Sequence, residues 1–271
     1  MATPSPAAPL KKVLVLSYLN YRNFGDRLGY HVVNTVLPAN AVVTHLPLNA
    51  PAFPEEPFDL LILGVGHSLN APSIARPELQ RLVETTPRIL GIFGTQYPYQ
   101  YRELIDPLLF ESLLDRMTTW WARNRSDVET FGGGRANVRH LGDWLISAFP
   151  MATPQLDKTL TIGSEVVHKE VSLDRVIQRI QAYRQVSSAR IHPLLCALTS
   201  AEQVRFQEQR EAFGRTTESG KFATMLTDIF GRSFDEDVFF PVDRDAVLRY
   251  KLMVEANMAE LRGQIRALLE L

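Results

Sequence analysis

Val13-Leu14-Val15-Leu16 is a continuous apolar run, and it leads into a polar turn that reaches Asn23-Phe24-Gly25-Asp26. An apolar run of this length that ends at a turn predicts a buried strand of a parallel sheet. Asn and Asp after the run predict the start of a helix. In open α/β sheets, ligands bind where such a strand ends and the helix begins.

The turn itself suggests what kind of ligand would bind. The first N–H groups of a helix lack partners within the helix, and the helix dipole adds positive potential there, so an anionic or hydroxyl-rich ligand fits. Asn23, Gly25 and Asp26 are therefore candidate binding residues. An alternative stays open, in which Asn23 and Asp26 only cap the helix and Gly25 only supplies a backbone angle.

Two further apolar runs end in small residues. Phe58–Leu63 is followed by Gly64-Val65-Gly66-His67-Ser68, and Arg88–Phe93 is followed by Gly94-Thr95-Gln96. Helical spacing over Pro77–Thr85 lies between them. This order predicts parallel strands joined by a right-handed crossover, with the strand ends on one sheet edge. We expect the wall of a cleft there, formed by Gly64, Gly66, Gly94 and Gln96, although tight turns alone would also select glycine.

Composition narrows the functional classes. The 271 residues carry a formal net charge of -1, so nothing favours binding to nucleic acid. Cys196 is the single cysteine, which excludes an intrachain disulfide and fits the cytoplasm. The apolar runs are shorter than the roughly 20 residues that span a bilayer. His140 and Asp143 have ligand-like spacing, but no second pair completes a site, so we predict no metal.

The chain divides into three predicted parts. Residues 1–12 read as a disordered tail, residues 13–150 as an N-terminal domain and residues 154–271 as a second domain, with prolines at 150 and 154 forming a hinge. The second domain ends in a long helix from Asp243 to Leu271. Its predicted packing stripe is Leu248, Leu252, Met258, Leu261, Ile265 and Leu268, interrupted at Glu255.

The segment Met117–Ala122 is a β-prone run that delivers Arg123 to its end. Trp120 and Trp121 point to opposite faces of this strand, so we expect one in the core and the other beside a groove. Ser126-Asp127 predict a cap before a short helix, and Val138–Asp143 predicts another strand with a polar tip. For Arg123 at this strand end, a surface ion pair is the commoner role of an arginine.

The segment Val186–His192 places an arginine and a histidine at a strand end, directly before the apolar run Pro193–Leu198. Arg190 offers a planar fork for a carboxylate or phosphate, and His192 can exchange a proton near neutral pH. Both are candidate catalytic residues. A purely structural histidine is the alternative.

Taken in order, these stretches resemble the polysaccharide pyruvyl transferase family. Asn23-Phe24-Gly25-Asp26 is similar to its opening motif, and Gly64–Ser68 to its glycine-rich second motif, from which Val65 and His67 depart. The remaining matches are Arg123, Ser126 and Asp143 in a middle motif, with Arg125 as the alternative to Arg123, then Ser188, Arg190 and His192 in the Ser-x-Arg-x-His motif, and Lys221 in a late helix.

The resemblance implies an α/β fold in which two Rossmann-like halves face a cleft, as in the glycosyltransferase-B architecture. It implies transfer of pyruvate from phosphoenolpyruvate to paired hydroxyls of a sugar as a ketal, with release of phosphate and without a cofactor. His192 and Arg190 would be catalytic. The donor would bind to Arg123, Ser188 and Lys221, and the acceptor to Asn23, Gly25, Asp26, Gly66, His67 and Gln96. A sugar or lipid-linked oligosaccharide of exopolysaccharide synthesis would be the acceptor.

The second half departs from the family, because after Gly163 it passes almost directly to the helix before Arg190. Lys221 fits a solvated lysine at a helix start equally well. Two other functions therefore stay open: a glycosyltransferase that uses nucleotide sugars, and a noncatalytic interaction protein. Peripheral contact with a membrane and a homo-oligomer also stay open.

Overall fold

A computed structural model describes residues 10–18, 22–65, 69, 71–95, 106–164, 171–208, 211–212, 215–216 and 219–270. It is a mixed α/β fold with a parallel sheet flanked by helices, consistent with a Rossmann-like fold, and a long helix ends the chain. No helix among these residues is long and apolar enough to cross a membrane.

In this described part, six strands form a wholly parallel sheet in the order β2-β1-β3-β4-β5-β6. Its elements, in chain order, are β1 (Lys11–Ser17), α1 (Phe24–Val36), β2 (Ala41–Pro47), β3 (Leu60–Leu63), α2 (Ala71–Ile74), α3 (Pro77–Thr85), β4 (Ile89–Phe93), α4 (Pro107–Arg116), β5 (Thr119–Ala122), α5 (Arg125–Phe131), β6 (Val138–His140) and a 3-10 helix (Trp144–Ala148).

A second sheet has the order β12-β9-β8-β7, in which β7, β8 and β9 are parallel and β12 is antiparallel. The remaining elements are β7 (Leu156–Ile162), α6 (Leu173–Gln181), β8 (Tyr183–Ser188), α7 (Ile191–Leu198), β9 (Gln203–Phe206), β10 (Glu211–Ala212), β11 (Arg215–Thr216), α8 (Lys221–Phe230), β12 (Phe240–Pro241) and α9 (Arg244–Glu270). β10 and β11 form a separate hairpin.

The predicted strands and helices of the first sheet are present, with two differences. The sequence reading missed β2, whose side chains are only partly buried because it lies at the sheet edge beside β1. The predicted cap at Ser126-Asp127 is wrong, since Asn124 precedes α5 and both residues lie in its first turn. Two polar residues in a row leave the helix start ambiguous by this much.

The two faces of the first sheet belong to two separate cores. Alternate residues of β1 point to opposite faces, so Val13 and Val15 pack with α1 and α9, while Leu14 and Leu16 pack with α3 and α4. The same cluster that contains Val15 also contains Val186 of the second sheet. One continuous apolar core therefore reaches both sheets.

The prediction that only one of the two adjacent tryptophans is buried is wrong. Trp120 is fully buried and Trp121 is 2% exposed. Helix α9 covers the second ring, and the Trp121 Nε1–H donates to Gln264 Oε1 at 2.8 Å. The sequence around β5 carries no sign of this partner, which lies 143 residues further on.

The predicted packing stripe of α9 is half wrong. Leu248 and Leu252 are 40% and 55% exposed. The buried stripe runs along Val247, Tyr250, Val254, Met258, Leu261, Ile265 and Leu269. This stripe keeps the helical period without interruption. The break at Glu255 in the predicted stripe therefore marks where it passes from the exposed face, at Leu248 and Leu252, to the buried face at Met258.

The predicted hinge is held by hydrogen bonds to the second sheet's elements. The carbonyl of Pro150 accepts from Gln181, and the N–H of Ala152 donates to the carbonyl of Thr199. Arg244 donates to the carbonyl of Ala152. The prolines interrupt regular secondary structure in this segment, but its hydrogen bonds attach it to the elements of the second sheet.

Candidate functional site

The first sheet has its topological switch point at β1. The chain runs from β1 to β2 on one side and returns to β3 on the other. At such a point the loops diverge and open a crevice at the carboxyl ends of the strands. Helix α1, which follows β1, begins at this crevice.

Asn23 has the capping role that the sequence left open. Its side-chain Oδ1 accepts the N–H of Asp26 at 3.0 Å, and its carbonyl accepts the N–H of Arg27. Asp26 lies in the first turn and is half-buried. The start of α1 is therefore fixed by its own sequence, which places Gly25 in the first turn.

Gly25 lies directly against His192, the second residue of α7. A Cβ atom on Gly25 would come 1.8 Å from His192 Nδ1, so only a glycine fits at this position. Both ring nitrogens of His192 are shielded from solvent. The contact brings together the Asn-x-Gly-Asp and Ser-x-Arg-x-His stretches, which are more than 160 residues apart in the sequence.

The turn between β8 and α7 is built around Ser188. This side chain is 2% exposed, and its Oγ accepts the N–H of Arg190 at 3.0 Å and donates to the carbonyl of Arg190 at 2.8 Å. Ser188 is therefore engaged in shaping the turn. The Arg190 guanidinium is partly exposed, and its Nε donates to the carbonyl of Gly163 at 3.3 Å.

The N-termini of α1 and α7 converge at this contact. The side chain of Arg190, the residue before α7, does not cap the helix, and Pro193 in its first turn has no N–H. Two positive dipole ends and the Arg190 guanidinium thus lie close together. Asp26 offsets part of this potential. The arrangement suits a ligand with negative charge.

A second polar cluster lies at the ends of β5 and β6, around Arg123. Arg123 and Asp143 are 4% and 2% exposed, and Arg123 Nε lies 3.9 Å from Asp143 Oδ2. Among the residues that the structure describes, Arg123 Nη2 and Asp143 Oδ2 have no hydrogen-bond partner. The alternative of a surface ion pair for Arg123 is therefore wrong, because its side chain is buried.

Tyr250 of α9 fixes the position of Asp143. The Tyr250 hydroxyl accepts the backbone N–H of Asp143 at 2.6 Å, while Asp143 Oδ1 accepts the N–H of Leu145. Burial, and then the carboxylates of Asp228 and Asp143, raise the pKa of Tyr250 well above its usual value. The phenol consequently stays protonated and neutral.

Asp127 of α5 also lies near Arg123, and it joins the segments that follow β4 and β5. It accepts hydrogen bonds from the N–H and hydroxyl of Thr95 and from the amide of Asn124. Burial raises the pKa of Asp127 to about 6, although the Thr95 hydrogen bonds and the charge of Arg123 lower it. The carboxyl is therefore largely ionised at neutral pH and becomes neutral in mild acid.

A carboxylate of the protein itself lies at the start of helix α8. The buried Glu208 carboxylate accepts the hydroxyl of Ser219 and the N–H of Phe222. An external anion at this helix end would meet that carboxylate. The environment of Lys221 therefore favours its structural alternative over donor binding.

Three predicted binding residues, Gly66, His67 and Gln96, lie outside the described residues. Gly64 is described and has a φ of +71°, with Phe93 filling the space a side chain would need. It makes the tight turn that was the alternative to a cleft wall.

Sequence reasoning missed Tyr250 and Asp228, which come from α9 and α8. Asp228 Oδ2 accepts the N–H of Arg125 and lies 3.3 Å from His140 Nε2. Tyr250 would have been found by following the uninterrupted stripe from Val247. Nothing in the sequence around Asp228 marks its partners.

No protein-family model matches the chain, and no curated protein matches it. Among solved structures, it is similar to an uncharacterized protein from Klebsiella pneumoniae subsp. pneumoniae NTUH-K2044. The two are 14% identical, with 79% of this chain and 86% of that chain covered and a TM-score of 0.47. These comparisons indicate no family.

Proposed function

We propose that this protein transfers pyruvate from phosphoenolpyruvate to paired hydroxyls of a sugar, forming a ketal and releasing phosphate. The observation that carries the proposal is the contact of Gly25 with His192. It joins the two stretches that most resemble the polysaccharide pyruvyl transferase family. It also places an anion-attracting turn beside a histidine.

The proposed function also implies a more specific architecture. We infer two Rossmann-like halves whose strand ends face a common cleft, in the manner of the glycosyltransferase-B architecture. The two converging helices support this, because α1 follows a strand of the first sheet and α7 follows a strand of the second. A cytoplasmic location is part of the proposal, and the buried free thiol of Cys196 is compatible with it.

The proposed chemistry assigns each residue one task. His192 delivers a proton to the CH₂ carbon of the enol, which becomes the methyl group of the ketal. One sugar hydroxyl adds to the neighbouring carbon, and the second displaces phosphate from it. One of the two hydroxyl protons returns to His192, and the other leaves with the phosphate. Arg190 and the N–H groups of α7 stabilise the negative charge of the departing phosphate.

Thermal unfolding with phosphoenolpyruvate tests the donor site. A ligand that binds only the folded state raises the unfolding midpoint, so the wild-type midpoint should rise with phosphoenolpyruvate concentration. Arg190→Ala should abolish the rise. Arg175→Ala, on the exposed side of α6, is the matched control and should keep it.

The same experiment separates the competing functions. A rise with a panel of nucleotide sugars, and none with phosphoenolpyruvate, would replace the proposal with a glycosyltransferase. If neither ligand raises the midpoint, the noncatalytic interpretation takes its place.

A further inference from the structure

We propose that Arg123 and Asp143 bind a hydroxyl group of the acceptor sugar, and that Arg123 does not bind phosphoenolpyruvate. This inference rests on the proposed function and reverses the role that the family resemblance implies for Arg123. It follows from the charges and the hydrogen-bonding capacity of the cluster at the ends of β5 and β6.

The charge of Arg123 is already balanced. Asp143 Oδ2 lies 3.9 Å from Arg123 Nε, and Asp127 is close enough to Arg123 that the arginine's charge offsets part of the rise in the pKa of its carboxyl. A third carboxylate, Asp228, faces the same region through Tyr250. An anionic ligand here would meet at least as much negative as positive charge.

The open hydrogen-bonding positions of the pair match a hydroxyl. Within the described residues, Arg123 Nη2 is a donor without an acceptor and Asp143 Oδ2 is an acceptor without a donor. The 3.9 Å between Arg123 Nε and Asp143 Oδ2 is too long for a hydrogen bond between them. A hydroxyl both accepts and donates, so it satisfies both atoms, whereas phosphate and carboxylate oxygens only accept.

The pair is held in place before any ligand arrives. Tyr250 and Leu145 fix the backbone and one oxygen of Asp143, so the second oxygen keeps its direction toward Arg123. Gly142 has a φ of +85°, and α9 packs against it, which brings Asp143 close to Tyr250. A preset donor and acceptor select a ligand by its geometry.

The position of the pair leaves room for both substrates. β3 and β4 separate β1 from β5, so the carboxyl ends of these two strands, Ser17 and Ala122, lie about 14 Å apart, at about 4.8 Å for each step. The anion-attracting turn and the hydroxyl-binding pair thus occupy different parts of one sheet edge.

Two binding measurements on the same variants test the inference. The variants are Arg123→Leu/Asp143→Leu, which removes both charges together, and Tyr250→Phe, which disturbs the pair without changing its charge. Tyr183→Phe, at the start of β8, is the control. Phosphoenolpyruvate binding is read from the unfolding midpoint, and sugar binding from saturation-transfer NMR with glucose, galactose, mannose and N-acetylmannosamine.

We expect both variants to keep the wild-type midpoint shift with phosphoenolpyruvate and to lose roughly tenfold or more in sugar affinity. Loss of the phosphoenolpyruvate shift in the double variant, with Arg190→Ala unaffected, overturns the inference. So does a sugar signal that the variants leave unchanged. So does the absence of any sugar signal in the wild type, which would assign the pair to an internal water.

The two proposals fail separately. If phosphoenolpyruvate never shifts the wild-type midpoint, the proposed function fails, while a sugar signal that depends on Arg123 and Asp143 still supports the hydroxyl site. If the double variant does not fold, Tyr250→Phe still tests the inference, because it retains both charged residues.

Discussion

The contact between α1 and α7 and the cluster around Arg123 are built in different ways. At the first, each partner is prepared by its own local sequence: Asn23 caps α1, and Ser188 shapes the turn before α7. At the second, Arg123 lies near Asp143, which follows β6, and near Asp127 of α5, while Tyr250 of α9 binds Asp143. Local sequence can thus position a backbone turn, whereas the charge environment of a side chain depends on the whole fold.

The largest expected effect would come from breaking the Arg123 cluster. Arg123→Leu leaves Asp143 and Asp127 buried without their cation, and we expect a loss of about 3–5 kcal/mol in the free energy of unfolding. Urea denaturation measures it. Arg123→Leu/Asp143→Leu should recover part of the lost stability. Equal stability of the single and double variants would contradict a charge balance between Arg123 and the carboxylate of Asp143.

A matched pair of leucines tests the part that α9 plays in this cluster. Leu261 is fully buried and Leu252 is 55% exposed on the same helix. Leu261→Ala should cost about 2–5 kcal/mol, and Leu252→Ala should stay within about 0.5 kcal/mol of wild type. Similar losses of stability from the two substitutions would mean that Leu252 is buried as well, as the stripe predicted from sequence requires.

Gly25→Ala tests the contact between the two helices. The added methyl must displace the His192 ring, so we expect a loss of about 1–3 kcal/mol in the free energy of unfolding and no midpoint shift with phosphoenolpyruvate. Gly263→Ala, where a Cβ meets open space in α9, is the control and should gain up to about 1 kcal/mol. An unaltered phosphoenolpyruvate response in Gly25→Ala would separate this contact from the donor site.

The smallest expected effect concerns Asp127 and appears only with pH. Its folded pKa of about 6 lies above the ordinary value of 3.8, so the folded state binds more protons and loses stability as pH rises through this window. Asp127→Asn should remove this loss. Its stability relative to wild type should increase by on the order of 1 kcal/mol between pH 5 and 7. Parallel pH profiles of urea unfolding would contradict the raised pKa.

Much of the fold could be predicted because its signals are local. The strands β1, β3, β4 and β5 are short apolar runs that end in turn residues, and the bounds of α3 agree with the predicted helix. β2 escaped detection because an edge strand needs no continuous apolar run. The exposed Leu248 and Leu252 misled the prediction for α9, because hydrophobicity alone does not tell which of two stripes meets a partner.

The sequence by itself determined the strand-and-turn pattern, the cap at Asn23 and the turn at Ser188, since these depend on neighbouring residues and on backbone hydrogen bonds. Only the tertiary structure decided that Gly25 meets His192, that α9 covers Trp121 and that Arg123 lies near two carboxyls. The physical reason is distance along the chain. The charge state and pairing of a buried group depend on the side chains that the fold packs around it. Around Arg123, these side chains come from as far as 127 residues away in the sequence.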